Sequence, residues 1–135
     1  MKLLELTNNV SQTNASGSPI ILGNISRRVG CFTDYSAPAT TVTIRESGYY
    51  DITIKANAEA TAAAQVLELT LFADGVAVPE TLSTHVGTAI GDVETLNINK
   101  IIRVFGCSDV TLSLINTGVT DTIYNNIVVD IKKVA

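Results

Sequence analysis

Apolar and polar residues alternate most regularly between Gly48 and Ala60. The positions of one parity are apolar or small: Tyr50, Ile52, Ile54, Ala56, Ala58 and Ala60. The positions of the other parity are mostly polar: Tyr49, Asp51, Thr53, Lys55, Asn57 and Glu59. Because successive side chains of a strand point to opposite faces, this pattern predicts a strand with one buried and one exposed face.

Similar alternation recurs along the chain and predicts about eight to ten strands. Besides 48–60, the candidate strands are 2–6 as a short edge strand, 25–32 as a weaker one, 39–46, 65–73, 76–78, 93–105 with a bulge near Lys100, 110–115 and 123–134. Residues 7–18, 61–64 and 81–92 are interpreted as loops, and Asp74-Gly75 as a two-residue hairpin turn. Since no helical stretch separates these strands, the pattern predicts an all-β fold, an antiparallel β-sandwich or barrel.

Length and composition favour one domain spanning residues 1–135, with a single core. The net charge of -4 offers no basic surface for nucleic acid or anionic lipid, so neither partner is expected. The apolar run at residues 3–6 is too short for a signal peptide, and no run is long enough to span a membrane. We therefore expect synthesis in the cytoplasm without an export signal.

Large apolar side chains also occupy positions of the exposed parity, which suggests a second buried surface. The candidate subunit-interface residues are Tyr49, Phe72, Ile101, Phe105, Ile115, Tyr124 and Val128. Only 16% of residues are charged, and a surface with little charge is often a covered one. These features predict self-association in a twofold or threefold arrangement. The alternative is a surface covered by Thr, Ser and Asn.

Catalytic and metal-binding motifs are missing from the sequence. His85 is the single histidine and lies in the predicted 81–92 loop, where an ordinary loop role is favoured over catalysis. Asp92 with Glu94, and Asp121 with its neighbouring asparagines, suit turns better than a calcium loop. We therefore predict a non-enzymatic protein without cofactor or bound metal, while a cation on an oligomer axis stays an open alternative.

The two cysteines, Cys31 and Cys107, share a local context of Arg-Val followed closely by Gly-Cys. A cytosolic protein normally keeps its thiols reduced. Free, packed thiols at equivalent positions of neighbouring strands are therefore favoured over a disulfide.

Three segments carry a resemblance to a known fold family. Gly48-Tyr49-Tyr50-Asp51-Ile52, the run from Leu69 to Pro79 with its Asp-Gly turn, and Val128-Val129-Asp130-Ile131 resemble the trimeric jelly rolls of the tumour-necrosis-factor and complement-globular-head type. The resemblance implies a jelly roll that forms a homotrimer.

The opening residues 1–9 and the compact length also resemble small structural proteins of phages and prophages. That resemblance implies a virion protein, either a head decoration or a head-fibre module, whose partners are the major capsid protein or a host-surface glycan. Residues 1–30 would then carry an attachment strand or arm. The alternative is a carbohydrate- or receptor-binding module, for which the available tyrosines are Tyr35, Tyr49, Tyr50 and Tyr124.

Overall fold

The structure, a computed structural model, describes residues 1–135 and consists of strands and connecting turns. In chain order the strands are β1 (Leu3–Asn8), β2 (Gln12–Asn14), β3 (Asn24–Val29), β4 (Thr33–Asp34), β5 (Thr41–Ile44), β6 (Gly48–Ala60), β7 (Gln65–Ala73), β8 (Val76–Ala77), β9 (Ser83–Gly87), β10 (Val93–Val104), β11 (Val110–Ile115) and β12 (Thr122–Lys133). The all-β prediction is confirmed. The number of strands exceeds the expected eight to ten because short strands lie inside segments interpreted as turns or loops. No helix in the structure is long and apolar enough to cross a membrane.

The strands form two six-stranded sheets that pack face to face as an antiparallel sandwich. Sheet I has the order β10-β6-β12-β1-β3, and β2 also pairs with β12. Sheet II has the order β4-β5-β11-β7-β8, and β9 also pairs with β7. From β10 onwards each strand lies in the opposite sheet to the one before it, so the connections cross between the layers. The core fills the space between the sheets.

The predicted alternation of β6 is confirmed, since every apolar position of its even parity is buried. These side chains belong to one core cluster of 26 buried residues. The predicted inward residues of β5 and β7, such as Val42 and Leu69, join the same cluster. The Asp74-Gly75 turn is also confirmed, because Ala73 pairs with Val76 and both turn residues have positive φ, 51° and 80°.

Two strand predictions at the surface are wrong. Strand β1 is an interior strand of sheet I between β12 and β3, and β3 forms that edge instead. Every residue of β3 is exposed, so its sequence lacks the alternation that marks a half-buried strand. The predicted 81–92 loop contains β9, which pairs with β7 from Gln65↔Gly87 to Leu69↔Ser83.

The bulge predicted in β10 is absent, and one in β12 takes its place. The pairing of β10 with β6 runs without interruption from Val93 to Val104. The register of β12 on β6 shifts between Asn125 and Val128, and Asn126 has a φ of 48°. An inserted residue reverses the parity of a strand. The inward residues are therefore Thr122 and Tyr124 before the bulge and Ile127, Val129 and Ile131 after it.

Residues 1–30 are built into the sandwich, because Leu4, Leu6, Ile20 and Leu22 belong to its core. An attachment role for this segment stays a prediction. The cysteines are free but not packed, because both Cys31 and Cys107 are exposed. Neither lies in a strand, since Cys31 follows β3 and Cys107 follows β10, at opposite edges of sheet I.

Candidate subunit interface

The seven predicted interface residues do not form one surface. Tyr49, Ile101 and Val128 have the outward parity of sheet I, and Phe105 directly follows β10. Phe72 and Ile115 belong to β7 and β11 in sheet II, and both are half-buried. The structure therefore divides the set between the two sheets.

The prediction that Tyr124 belongs to the subunit interface is wrong, because its side chain lies in the core of its own chain. It has no exposed surface, and its hydroxyl donates a hydrogen bond to the carbonyl oxygen of Glu68 at 2.6 Å. Burial also raises the pKa of this phenol well above its usual value. The cause is the bulge at Asn125–Asn126, which turns Tyr124 inward although counting back from Ile127 places it outward.

Exposed apolar side chains are spread along the side of the sandwich where the edge strands of the two sheets meet. We define the β9–β10 edge as Leu82, Val86, Ile90, Val93 and Ile101, of which each side chain is 53–72% exposed. Strand β9 lies beside β10, and the Asn97 amide donates to the Ser83 hydroxyl at 3.3 Å. Sequence reasoning missed four of these five residues because it placed β9 in a loop and Val93 at the end of a strand.

This edge has unpaired backbone as well as exposed apolar side chains. Strand β10 pairs only with β6, and β9 pairs only with β7. Lys100 of β10 has the inward parity but remains half-buried, which an edge strand permits because its side chain can reach solvent past the rim. An inward charge on an edge strand opposes the addition of another strand. The edge is therefore suited to contacts through side chains rather than to sheet extension.

The outer face of sheet I is polar across its middle. One row across the strands, in register, contains Asn99, Thr53, Asp130, Glu5 and Arg27. The Asn99 amide donates to the Thr53 hydroxyl at 3.2 Å. Charges of both signs and Thr/Asn side chains therefore lie where the sequence suggested an apolar contact.

Comparisons with known proteins address the fold. No protein-family model and no curated protein matches the sequence. Among solved structures, the globular domain of zebrafish complement 1qA protein matches with a TM-score of 0.73 at 10% identity, covering 100% of this chain and 98% of that one. Eiger TNF from S. frugiperda matches with a TM-score of 0.75 at 9% identity, covering 98% and 92%. Murine APRIL at pH 8.5 matches with a TM-score of 0.68 at 8% identity, covering 97% and 98%.

The fold is a jelly roll of the tumour-necrosis-factor and complement-globular type. The fold resemblance suggested by the sequence is thus confirmed, and at 8–10% identity the likeness is one of fold.

The Glu5 and Asp130 carboxyl groups lie side by side on the outer face of this jelly roll. Partial burial and the neighbouring Glu5 raise the pKa of Asp130 to about 6. The hydrogen bond from the Ser26 hydroxyl, at 2.5 Å, helps to hold the pKa of Glu5 below its usual value. The Oδ1 atom of Asp130 is shielded from solvent and accepts no hydrogen bond. The pair therefore holds one proton below about pH 6 and carries two charges above it.

The jelly roll brings no catalytic constellation together. His85 lies exposed on β9, and no group of three or more His, Cys, Asp and Glu side chains is positioned to hold a metal ion. The cavity between the sheets has a volume of about 10 Å³ and is lined mainly by apolar residues such as Leu22, Ile52 and Leu112. It is large enough for about one water and offers that water little polar contact.

Proposed function

We propose that the chain is a non-enzymatic, homotrimeric jelly-roll module that displays its surface in three copies. The observation that carries the proposal is the β9–β10 edge, where exposed apolar side chains lie beside unpaired backbone. Such an edge promotes aggregation unless another surface covers it. A second copy of this chain is the occupant that we infer.

We infer a closed ring because the contact would join two different surfaces of identical chains. The β9–β10 edge is apolar, whereas the middle of the outer face of sheet I is polar and charged, so the two surfaces differ. A contact between two different surfaces of identical chains is heterologous, and it closes into a ring when the rotation fits. The number three rests on the resemblance of the sequence to trimeric jelly rolls, a fold type that the solved structures support. Three copies on one axis multiply weak contacts through avidity.

The oligomeric mass in solution tests this proposal. We expect a particle of three times 14.3 kDa by light scattering at micromolar concentration. Val86→Asp and Val93→Asp should remain folded, because both side chains are exposed in the single chain, but they should shift the mass towards one chain by placing a charge in the contact.

Val76→Asp is the matched control, since Val76 is 69% exposed but lies at the β7–β8 hairpin of sheet II. It should keep the mass of the unmodified protein. A single-chain mass for the unmodified protein, or equal dissociation by all three variants, would contradict the proposal.

More specifically, we propose that the protein is made in the bacterial cytoplasm and becomes part of a virion, as a head decoration or a head-fibre module. Its support is the resemblance of residues 1–9 and of the compact length to phage structural proteins, together with the trimer-forming fold type. The partner would be the major capsid protein or a host-surface glycan. Density-gradient purification of particles from the producing bacterium tests it: the chain should sediment with capsid protein, and finding it only in the soluble fraction would refute this role.

The carbohydrate- or receptor-binding alternative needs exposed aromatic rings. Three of the four tyrosines, Tyr35, Tyr50 and Tyr124, are buried in the core, which leaves Tyr49. The alternative is therefore confined to the one place where Tyr49 meets a second exposed ring, that of Phe105.

A further inference from the structure

The end of sheet I that carries Tyr49 contains a cleft that the trimer does not explain. It has a volume of about 440 Å³, and its lining includes Ser47, Tyr49, Arg103, Phe105, Lys133 and Ala135. Three of these residues lie in the turn before β6, at the start of β6 and in the turn after β10, so the cleft sits at the end of the sandwich. A cleft of this volume is within the size range of sites that bind small molecules.

Two aromatic rings hold the Arg103 side chain in the cleft. The guanidinium carbon lies 4.6 Å from the centroid of the Phe105 ring and 5.6 Å from that of the Tyr49 ring. Cation–π contacts of this length fix the guanidinium plane without using its N–H groups. The side chain is therefore ordered before any ligand arrives, which lowers the entropic cost of binding.

The N–H groups of Arg103 have no acceptor within the chain. The ion pairs of the structure join Arg45 to Asp34, and Lys2 and Lys133 to Glu46, and none includes Arg103. The side chain of Arg103 also donates no hydrogen bond. A guanidinium fork matches the geometry of a carboxylate or phosphate group, to which it can bind through two parallel hydrogen bonds.

A second cation strengthens the preference for an anion. Lys133 lines the cleft, and its ammonium lies 3.4 Å from a Glu46 carboxylate oxygen. Lys2 contacts the other oxygen of the same carboxylate, so one acidic group serves two lysines. Arg103 is then the cation of the cleft that has no acidic partner in the chain. Asp51, which lies near Arg103 on the neighbouring strand, forms no ion pair with it.

Phe105 adds an apolar surface beside the charge. Its side chain is 62% exposed although it contacts Arg103, so part of the ring remains open to a ligand. An exposed ring next to a planar cation suits a ligand with an oxyanion on an otherwise weakly polar ring. Sugar rings have such faces, whereas an inorganic anion would leave the phenyl group unused.

We propose that this cleft binds an anionic saccharide unit, with the oxyanion on Arg103 and the sugar ring against Phe105. Tyr49 and Phe105 then act in ligand binding rather than in the subunit contact suggested by their exposure. The proposal is independent of the trimer, because all of the groups that it uses come from one chain.

NMR titration of the unmodified protein with small soluble ligands tests whether the cleft binds an anionic saccharide. Glucuronate and glucose 6-phosphate should both bind saturably with a Kd of about 1 mM, the range of a single small charged contact, and glucose should bind at least about 10-fold more weakly. Arg103→Gln should weaken binding of both anionic probes by about 10-fold or more. Phe105→Leu should weaken the binding of glucuronate and glucose 6-phosphate more than that of inorganic phosphate, because the phenyl ring contacts the sugar as well as orienting Arg103.

Arg45→Gln is the matched control, because Arg45 is exposed, is ion-paired with Asp34 at 3.0 Å and does not line the cleft; it should bind like the unmodified protein. Equal affinity for glucose and glucuronate, unchanged binding by Arg103→Gln, or no saturable binding would overturn the proposal. Phosphate binding as tight as that of glucose 6-phosphate would reduce the cleft to an anion patch and also overturn it.

Light scattering on the same samples separates this proposal from that of the trimer. A trimer that survives Arg103→Gln while binding is lost supports the cleft. Dissociation by Arg103→Gln would identify the cleft as a subunit contact and refute the ligand site. Binding by a single-chain particle would refute the trimer and leave the ligand site standing.

Discussion

One buried amide, that of Asn116, ties the start of the chain to the β11–β12 connection. Its Nδ2 donates to the carbonyl oxygens of Asn14 at 3.0 Å and Thr120 at 3.1 Å, and its Oδ1 accepts from the Gly118 amide at 3.0 Å. The side chain is fully buried. All three contacts need an amide, because two carbonyl oxygens face the nitrogen and one N–H faces the oxygen.

Asn116→Asp should lower the free energy of unfolding by about 2–3 kcal/mol at neutral pH, since it places a carboxylate oxygen against two carbonyl oxygens without water. Urea denaturation followed by circular dichroism measures the change. Asn97→Asp on the exposed face of β10 is the control and should change stability by less than about 0.5 kcal/mol. A similar loss in both variants would show that the amide contacts do not carry the effect.

The Asp130 carboxyl should make stability depend on pH. Its pKa of about 6 in the folded chain lies above the ordinary value of 3.8, so the folded state binds this proton more tightly than the unfolded state. The charge on Asp130 therefore costs stability above about pH 6, and this cost disappears as the pH falls through 3.8. Glu5, whose pKa is lowered, contributes in the opposite sense, with stability lost as the pH falls.

Asp130→Asn should raise the free energy of unfolding at pH 8 by about 0.5–1 kcal/mol, less than the full shift implies because water screens the partly exposed group. The gain should vanish near pH 4. Asp109→Asn, in the exposed turn after β10, should show no such pH dependence. Denaturation at the two pH values measures both variants, and a gain for Asp130→Asn that is equal at pH 4 and pH 8 would refute the assigned pKa.

At the scale of elements, the parity of β6 controls which substitutions the fold accepts. Ile52 is fully buried between the sheets, and its neighbour Thr53 is exposed on the outer face of sheet I. Ile52→Asp should prevent folding. The free-energy cost of burying an unpaired charge in the core exceeds the free energy of unfolding of a typical domain. Thr53→Asp should fold with a similar far-ultraviolet circular dichroism spectrum. Equal loss of structure in both would contradict the assignment of faces.

Alternation made the long strands predictable and left the irregular ones unpredictable. β5 and β6 each have one buried and one more exposed face, and Leu67, Leu69 and Leu71 form a buried face on β7, so these sequences carry the period of two. β3 is exposed on both faces and β9 is exposed at three successive residues, so neither has that signal. Pairing with an already formed neighbour, rather than their own pattern, makes these segments strands.

The bulge shows a second kind of failure, in which a correct element carries a wrong register. β12 was predicted as one strand, but Asn126 adds a residue in the left-handed region, which asparagine tolerates better than most residues. Asn125-Asn126 was the available signal. Paired asparagines also suit turns, so composition alone does not distinguish a bulge inside a strand from a turn.

At the scale of the whole molecule, the sequence predicts that part of the outer surface is covered. It does not predict where that surface lies, which only the structure reveals. Parity separates inside from outside in one strand, but it does not show which outer residues come together. Phe72 and Ile101 have the same exposed parity and lie on different sheets. The β9–β10 edge arises only from the stacking of the two sheets, which brings Ser83 beside Asn97.

This geometry makes a prediction about amide hydrogen exchange in the assembled protein. In a single chain, β10 and β9 each have one side without a strand partner, so part of their amides should exchange rapidly. In the trimer the same amides should be shielded, because the neighbouring copy excludes water from the edge. β12 is paired on both sides and should exchange slowly in either state, and the β7–β8 hairpin should exchange quickly in either state.

Exchange measured by mass spectrometry on the unmodified trimer and on the dissociated Val93→Asp variant gives the comparison. Slower exchange in peptides 83–87 and 93–104 of the trimer, with no change in β12 or the hairpin, is the expected result. Protection that appears only in β7 and β11 would place the contact on the Phe72 and Ile115 side of the sandwich, because those residues are the remaining predicted interface positions there. Only a contact at the β9–β10 edge combines this pattern of protection with dissociation by a charge at Val93.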